Sequence, residues 1–339
     1  MNKVTVIAEA GVNHNGSLDK AIALIDVAAA AGADYVKFQT FKASNLATQA
    51  AQKTDYQKNN VKGSTSQMEM LRQLEIPVDW YPNLLKRCEE KKIGFLSTGF
   101  DLESIDFLDN LGQEYFKIPS GEITHKALLE RIAQKSKPII LSTGMATLEE
   151  IKMAVDILLQ NGIDKKFITV LHCTTAYPTP LEEVNLMAIN HIQKELSVNV
   201  GYSDHTLGIA VATAAVALGA TVIEKHFTLD KTLPGPDHQA SLEPVELEQM
   251  VHQIREVSKA IKGDGKKAPK PSEIKNRTHV RKSLCYASNL SKGKFLEACD
   301  FIALRPENGI SPMLIDDFIG KSLKQDVHKL QLVNKNDFI

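Results

Sequence analysis

The stretch that most limits what this chain can fold into runs from Gly201 to Thr228, GYSDHTLG…LGATVIEKHFT. A run rich in apolar residues, Leu196–Val200, ends in Ser203, Asp204 and His205, and an Ala-rich helix follows over Leu207–Leu218 with a glycine at each end. A second apolar run, Ala220–Ile223, then delivers Glu224, Lys225 and His226. This pattern predicts strand, helix and strand, with polar groups emerging where each strand ends. Neighbouring strands of a parallel sheet would bring His205 and His226 into one space, where two imidazoles can hold a divalent metal or simply be hydrogen-bonded histidines.

The same unit recurs along the chain. Val4–Ala8 ends at Glu9, and a Gly/Asn loop leads to Ser17, a helix cap for Leu18–Ala31. Tyr35–Phe38 carries Lys37 and Gln39. Ile93–Leu96 ends in Ser97 and Thr98, and Asp101 caps the next helix. Tyr115–Ile118 delivers Lys117, Ser120, Gly121 and Glu122; Pro138–Leu141 delivers Ser142, Thr143 and Gly144. Phe167–Leu171 runs into His172, Cys173, Thr174, Thr175 and Tyr177. Eight such strands in about 260 residues predict a (β/α)8 TIM barrel, over residues 1–262. A doubly wound sheet is the alternative, but GVNHNG after the first strand lacks G-x-G-x-x-G spacing. The polar segment from Lys42 to Gln73 is too long for an ordinary connection and is expected to be a lid or insertion.

Residues 263–279, rich in Pro, Gly and Lys, read as an exposed linker. Residues 280–339 then form a small β-rich unit without a long helix, marginal on its own at that size. Charge is balanced, 40 basic against 41 acidic residues, which implies neither a nucleic-acid partner nor an anionic membrane surface. The four cysteines lack metal-ligand spacing and no secretory leader precedes Val4, so a reducing cytoplasm is expected. Thr206–Ile223 is uncharged and about as long as a membrane span, but its two glycines and its Ala and Thr content predict a packed helix and strand.

In a barrel, chemistry sits where the strands end. Those ends collect Glu9, Lys37, Gln39, Ser97, Thr98, Lys117, Ser120, Glu122, Ser142, Thr143, Gly144, Thr175, Tyr177, Ser203, Asp204, His205, Lys225 and His226. Charges in a barrel mouth are costly unless paired or used, and lysines among hydroxyls suit a phosphate together with a carboxylate. Glu9 and Glu122 are then the acid/base candidates. Each residue also has a structural reading. Lys37 or Lys117 could pair with Glu9 or Glu122; Ser97, Thr98, Ser142 and Thr143 could cap helices; His14 and His172 could shape loops. Cys173 reads as a buried apolar residue before a nucleophile. Asp237, in PGPDH, is either a turn residue or an acceptor for a substrate hydroxyl.

AEAGVNHNGS, VKFQT, FKIPSGE, ILSTGM, LHCT..YPTP, GYSDHT, EKHFT and GPDH, in this order, resemble the sialic acid (nonulosonate) synthase family. The likeness covers nearly the whole chain, including a tail (280–337) that resembles the antifreeze-like SAF domain of those enzymes. It implies condensation of phosphoenolpyruvate with the open-chain aldehyde of an N-acetylated amino sugar, giving a nine-carbon 2-keto acid and phosphate by C–O cleavage. It further implies a metal on His205 and His226, manganese first and magnesium or cobalt as alternatives. Lys37, Lys117, Thr98, Ser120, Ser142 and Ser203 would receive phosphoenolpyruvate. Gln39, Tyr177 and Asp237 would orient the sugar, with Glu9, Glu122 and Lys117 as the catalytic set. The family's tail arginine, matched by Arg305, implies a domain-swapped homodimer. Three positions depart from the family pattern: Gly99, expected to loosen its loop; Thr175, where some members have Asn; and Glu307, an acid beside Arg305. The acceptor is either N-acetylmannosamine or 2,4-diacetamido-2,4,6-trideoxymannose. The rivals are a Schiff-base aldolase using Lys117 or Lys37, and a non-catalytic carbohydrate- or ice-binding scaffold.

Overall fold

The computed structural model describes residues 3–60 and 66–339; the expected lid segment therefore lies outside the described residues between 61 and 65. Two compact units are present, Met1–Lys262 and Gly263–Ile339.

In the first unit eight parallel strands alternate with helices: β1 Thr5–Gly11, β2 Tyr35–Thr40, β3 Gly94–Gly99, β4 Phe116–Ile118, β5 Ile139–Ser142, β6 Ile168–Cys173, β7 Asn199–Asp204 and β8 Val222–His226. The sheet order is β3-β2-β1-β8-β7-β6-β5-β4. The first strand therefore pairs with the last, giving the expected TIM-type barrel, nearly closed, with its seam between β3 and β4. The helices are α1 Leu18–Ala30, α2 Ala43–Leu46, α3 Asp55–Asn60, α4 Gln67–Leu74, α5 Tyr81–Lys91, α6 Leu102–Asn110, α7 Lys126–Ala133, α8 Leu148–Gln160, α9 Ala188–Leu196, α10 Ala210–Ala217 and α11 Pro244–Ala260. Their starts follow local chemistry. The Ser17 hydroxyl accepts from the Lys20 amide, Asp101 from the Ser104 amide, and Thr147 forms a capping box with Glu150.

Strand alternation divides the core in two. Residues such as Val6, Ala8, Val36, Phe38, Phe116, Ile118, Val200 and Tyr202 face outward and pack on the helices. Ile7, Leu96, Ile140, Leu171 and Val222 face inward and, with Tyr35 and Tyr115, form an apolar floor inside the barrel. Gly201 belongs to the same interior level: a Cβ there would lie 2.5 Å from Leu171 Cδ2 and 2.4 Å from the Val222 carbonyl oxygen. The uncharged stretch 206–223 is the short helix α10 and the start of β8, and no helix among the described residues is long and apolar enough to cross a membrane.

The second unit holds α12 Pro271–Val280 and an antiparallel pair, β9 Ser283–Tyr286 and β10 Phe301–Leu304. Its own small core gathers Leu284, Tyr286, Leu296, Phe301, Phe318, Leu323, Val327 and Val333. The segment read as linker thus carries a helix. Pro271 at its start and the Glu273 carboxylate bonded back to the Lys270 amide define where it begins. Arg277 of that helix and Arg281 just after it pair with Glu307 at 3.1 and 3.6 Å, so the acid beside Arg305 is already neutralised.

Candidate active site

Two residues beyond the apolar floor on each strand, the interior turns polar. Ile7 is followed on the same face by Glu9, Tyr35 by Lys37, Leu96 by Thr98, Tyr115 by Lys117, Ile140 by Ser142, Leu171 by Cys173, Gly201 by Ser203, and Val222 by Glu224. All eight polar-layer residues line one cavity of about 370 Å³, open at the strands' C-terminal ends. One further step outward places Gln39, Phe100, Thr175, His205 and His226 on its walls, with Ser120, Glu122, Tyr177 and Asp237 arriving from loops.

The polar layer is a network of buried charges. Lys37 Nζ lies 2.8 Å from Glu9 Oε2 and 3.5 Å from Glu224 Oε2, and it donates to Thr98 Oγ1 at 2.9 Å. Lys117 Nζ lies 3.2 Å from Glu224 Oε1, which also accepts from the Ser203 hydroxyl at 3.1 Å. Gln39 Nε2 donates to Glu9 Oε1 at 3.3 Å. The two carboxylates part company. Burial pushes Glu9 up to about 7, with Lys37 opposing and Glu224 adding to the rise. Burial would raise Glu224 too, but Lys117 and Lys37 outweigh it and hold Glu224 at about 2. Burial pulls Lys117 below the usual lysine range, whereas Glu224 and Glu9 more than offset burial at Lys37. Near neutral pH the layer therefore has two lysines but only one carboxylate that is ionised throughout, an electrostatic surplus suited to an anion.

Around the walls, Ser120 Oγ accepts from the Gly144 amide at 2.9 Å, and a Cβ on Gly144 would fall 2.0 Å from Thr175 Oγ1. Only glycine permits that approach. Ser142 Oγ is buried without a hydrogen-bond partner among the described residues. Glu122 stands at the rim, 2.7 Å from His125 Nδ1, so it is far more open to water than Glu9. Asp237 is buried in the 3-10 turn region after β8, and burial lifts its carboxyl to about 6 despite His205.

The histidine rings face each other at 5.7 Å between centroids, and the Tyr177 ring lies 4.1 Å from that of His205. His205 Nδ1 donates to the Thr174 carbonyl oxygen at 2.7 Å, which leaves the Nε2 lone pair available. His226 Nδ1 is buried without a hydrogen-bond partner among the described residues, and burial followed by the neighbouring His205 and Lys37 holds the ring neutral, well below the usual histidine range. Two neutral-capable nitrogens with free lone pairs fit a divalent metal that keeps other positions for water or substrate. Among the described residues no set of three or more His, Cys, Asp or Glu side chains is gathered as ligands.

The structure brings together every expected site residue of the first unit, while Arg305 is exposed in the second unit. Several strand-end residues lie elsewhere. Ser97 Oγ is 2.7 Å from Thr40 Oγ1, and Thr143 donates to the Leu171 carbonyl oxygen. Asp204 and Lys225 point away from the cavity and pair with each other at 2.7 Å, both side chains fully buried. Glu224, between them and the site, is the charged group that the strand-end list omitted. The alternation rule would have found it, because a residue two before an inward His226 must also face inward. His14 and His172 shape loops: His14 Nδ1 accepts from the Gly16 amide, and His172 Nε2 bonds the Val184 carbonyl. Gly99 does not loosen its loop. It is buried, and an added Cβ would sit 2.7 Å from Ile105 Cδ1, so its absence allows β3 and α6 to pack closely.

The long segment after β2 also reaches the site. The α4 residues Gln67, Met70, Leu71 and Leu74, at helical spacings of three, four and seven, all line the cavity, as does Leu46 of α2. The Glu75 carboxylate accepts from the Ala43 amide at 2.7 Å, and Asn60 Nδ2 donates to the Pro236 carbonyl at 2.8 Å, so the segment is pinned both to itself and to the loop after β8.

Comparison with known proteins follows the same lines. The family model described as "NeuB family" matches residues 24–267. The chain is 49% identical, over 99% of its length and 100% of the relative's, to a Campylobacter jejuni protein named N,N′-diacetyllegionaminic acid synthase. It is 46% identical to a Legionella pneumophila protein of the same name, over 95% of this chain and 91% of that one. Among solved structures, an N-acetylneuraminic acid synthetase from Leptospira borgpetersenii superposes with a TM-score of 0.71 at 34% identity, covering 81% of this chain and 90% of the other.

Proposed function

This chain belongs to the NeuB family, and on that premise we propose that it is an N,N′-diacetyllegionaminic acid synthase, a phosphoenolpyruvate-dependent enzyme that forms a carbon–carbon bond. The acceptor is 2,4-diacetamido-2,4,6-trideoxymannose, and the products are a nine-carbon 2-keto acid and phosphate. One observation carries the reading: two buried lysines share two carboxylates in a single interior layer, and one carboxylate titrates near neutrality.

Lys37 and Lys117, with the hydroxyls of Thr98, Ser120, Ser142 and Ser203, receive the phosphate and carboxylate of phosphoenolpyruvate. Gln39, Tyr177 and Asp237 orient the open-chain sugar above it. C3 of phosphoenolpyruvate attacks the aldehyde carbon, leaving an oxocarbenium at C2. Water adds to C2, and Glu9, poised near 7, takes its proton. The tetrahedral species then breaks its C2–O bond and expels phosphate. Glu122, at the more open rim, gives a proton to the alkoxide that the aldehyde oxygen becomes, and the C2 hydroxyl loses its proton as phosphate departs. His205 and His226 would hold a divalent metal, manganese in this proposal, which when bound supplies Lewis acidity to the aldehyde oxygen. Arg305 keeps the role given by the resemblance, an arginine lent by an SAF-type tail within a domain-swapped homodimer. The cytoplasm is where phosphoenolpyruvate would be met. A Schiff-base aldolase using Lys117, whose pKa burial lowers, would be trapped by borohydride and resist chelator, which separates the two readings.

The test is phosphate release from phosphoenolpyruvate with manganese, offering N-acetylmannosamine and 2,4-diacetamido-2,4,6-trideoxymannose in parallel. Release that needs the diacetamido sugar and stops with chelator supports the assignment. Release with neither sugar overturns it.

A further inference from the structure

The cavity has one wall that phosphoenolpyruvate cannot use. Leu46, Met70, Leu71, Leu74 and Phe100 line it, and with Val12 they belong to an apolar cluster separate from the barrel's main core. Met70 and Leu74 are buried and hold α4 down, whereas Leu46, Leu71 and Phe100 are only partly covered. The polar layer lies deeper in the same cavity, with Thr98 of the third strand one step below Phe100. The new bond must form over that layer, because the phosphoenolpyruvate anion belongs with Lys37 and Lys117. The aldehyde end of the acceptor is thereby fixed low in the cavity, and its C4–C6 end is directed outward to the level of α2 and α4.

We propose that this wall is the subsite that selects the acceptor, taking the C6 methyl and the C4 acetamido methyl and rejecting sugars with hydroxyls there. The proposal rests on the synthase reading above and deepens it. The physical discriminant is hydrogen bonding. A hydroxyl pressed against leucine and methionine loses water and finds no partner, whereas a methyl at the same place loses nothing. Gln67, on the same face of α4, adds a polar group beside the apolar ones, as an acetamido group needs. A wall built this way packs well against a deoxy, doubly acetamidated sugar and poorly against a polyol.

The test compares kcat/KM for 2,4-diacetamido-2,4,6-trideoxymannose and N-acetylmannosamine in the full-length enzyme, the Leu71→Gln and Leu46→Gln variants, and Leu71→Met as the conservative control. These positions spare the buried anchors Met70 and Leu74. A hydrophobic pocket rejects an analogue that adds a hydroxyl by about 100-fold. The Gln variants are expected to lose that much of the wild-type ratio, with the KM for phosphoenolpyruvate within about twofold of wild type. Leu71→Met should keep the ratio. If both sugars decline together at constant ratio, the wall is structural and the proposal is overturned. An unmoved ratio in a wild type that prefers the diacetamido sugar overturns this proposal alone. A wild type without diacetamido-dependent release overturns the synthase assignment and this subsite with it.

Discussion

Lys225→Met is the perturbation with the sharpest expected signature. Asp204 and Lys225 are register partners in the β7–β8 ladder, their side chains have no solvent exposure, and Lys225 Nζ donates to Asp204 Oδ2 and the Thr206 carbonyl at 2.7 Å each. Methionine keeps the length and fills the space, so the principal loss is the charge. Asp204 then keeps the Thr206 amide and hydroxyl as donors but has lost its ammonium partner. Stranding one member of a buried pair costs about 3–5 kcal/mol. Protonation sets a ceiling: neutralising an aspartate of ordinary pKa, near 3.9, costs about 4 kcal/mol at pH 7 and about 1.5 kcal/mol at pH 5. The sign follows, because a buried carboxylate stranded by loss of its ammonium is relieved by taking up a proton in the folded variant, which the unfolded chain has no need to do. The variant's stability therefore falls, relative to wild type, as pH rises from 5 to 7. Urea unfolding read by the fluorescence of Trp80, the single tryptophan and a resident of the barrel unit, measures this directly. Asp204→Asn/Lys225→Met, which keeps the acceptor for Thr206 and removes both charges, should recover most of the loss. A deficit below 1 kcal/mol, or one that does not change between pH 5 and 7, would refute the reasoning.

Glu224→Gln removes the counter-ion shared by Lys37 and Lys117. The unliganded protein should lose about 3–5 kcal/mol, and phosphoenolpyruvate should raise the variant's melting temperature more than the wild type's; equal shifts would count against a charge-compensating role. Glu9→Gln should remove a limb near 7 from the pH profile of kcat/KM, and it should flatten the decline in stability between about 4.5 and 7, because a carboxyl raised by folding stabilises only while protonated. Persistence of both features would move the proton-transfer role away from Glu9. His226→Gln should weaken manganese binding, measured calorimetrically, by at least about 100-fold with unchanged unfolding behaviour; wild-type affinity in that variant would remove His226 from the ligand set.

Much of the site was legible before the fold was known. Strand runs ending in Glu9, Lys37, Lys117, Ser142, Ser203 and His226 could be read from local pattern alone, and all of these residues meet in the cavity. Among the strand-end groups, the differences have one geometric reason. The apolar runs stop at Val200 and Ile223, but the seventh and eighth strands continue to Asp204 and His226. The residues grouped together as strand ends are therefore on a pleat that sends neighbours to opposite faces. Asp204 and Lys225 went outward and Glu224 inward. Likewise the segment after β2 showed only its polarity and length; that α4 presents Met70, Leu71 and Leu74 to the cavity depends on where the helix lies.

By itself the sequence determined the repeated unit, the barrel it must close into, and the residue types that gather at its mouth, because hydrophobic periodicity and capping are local properties of the chain. Only the tertiary structure decided which strand-end groups share the interior and what charge each carries there. Glu9 and Glu224 are the same residue type on adjacent strands, yet one is pushed to about 7 and the other held at about 2. The difference arises from burial and from distances to Lys37 and Lys117, contacts that exist only once the barrel has formed.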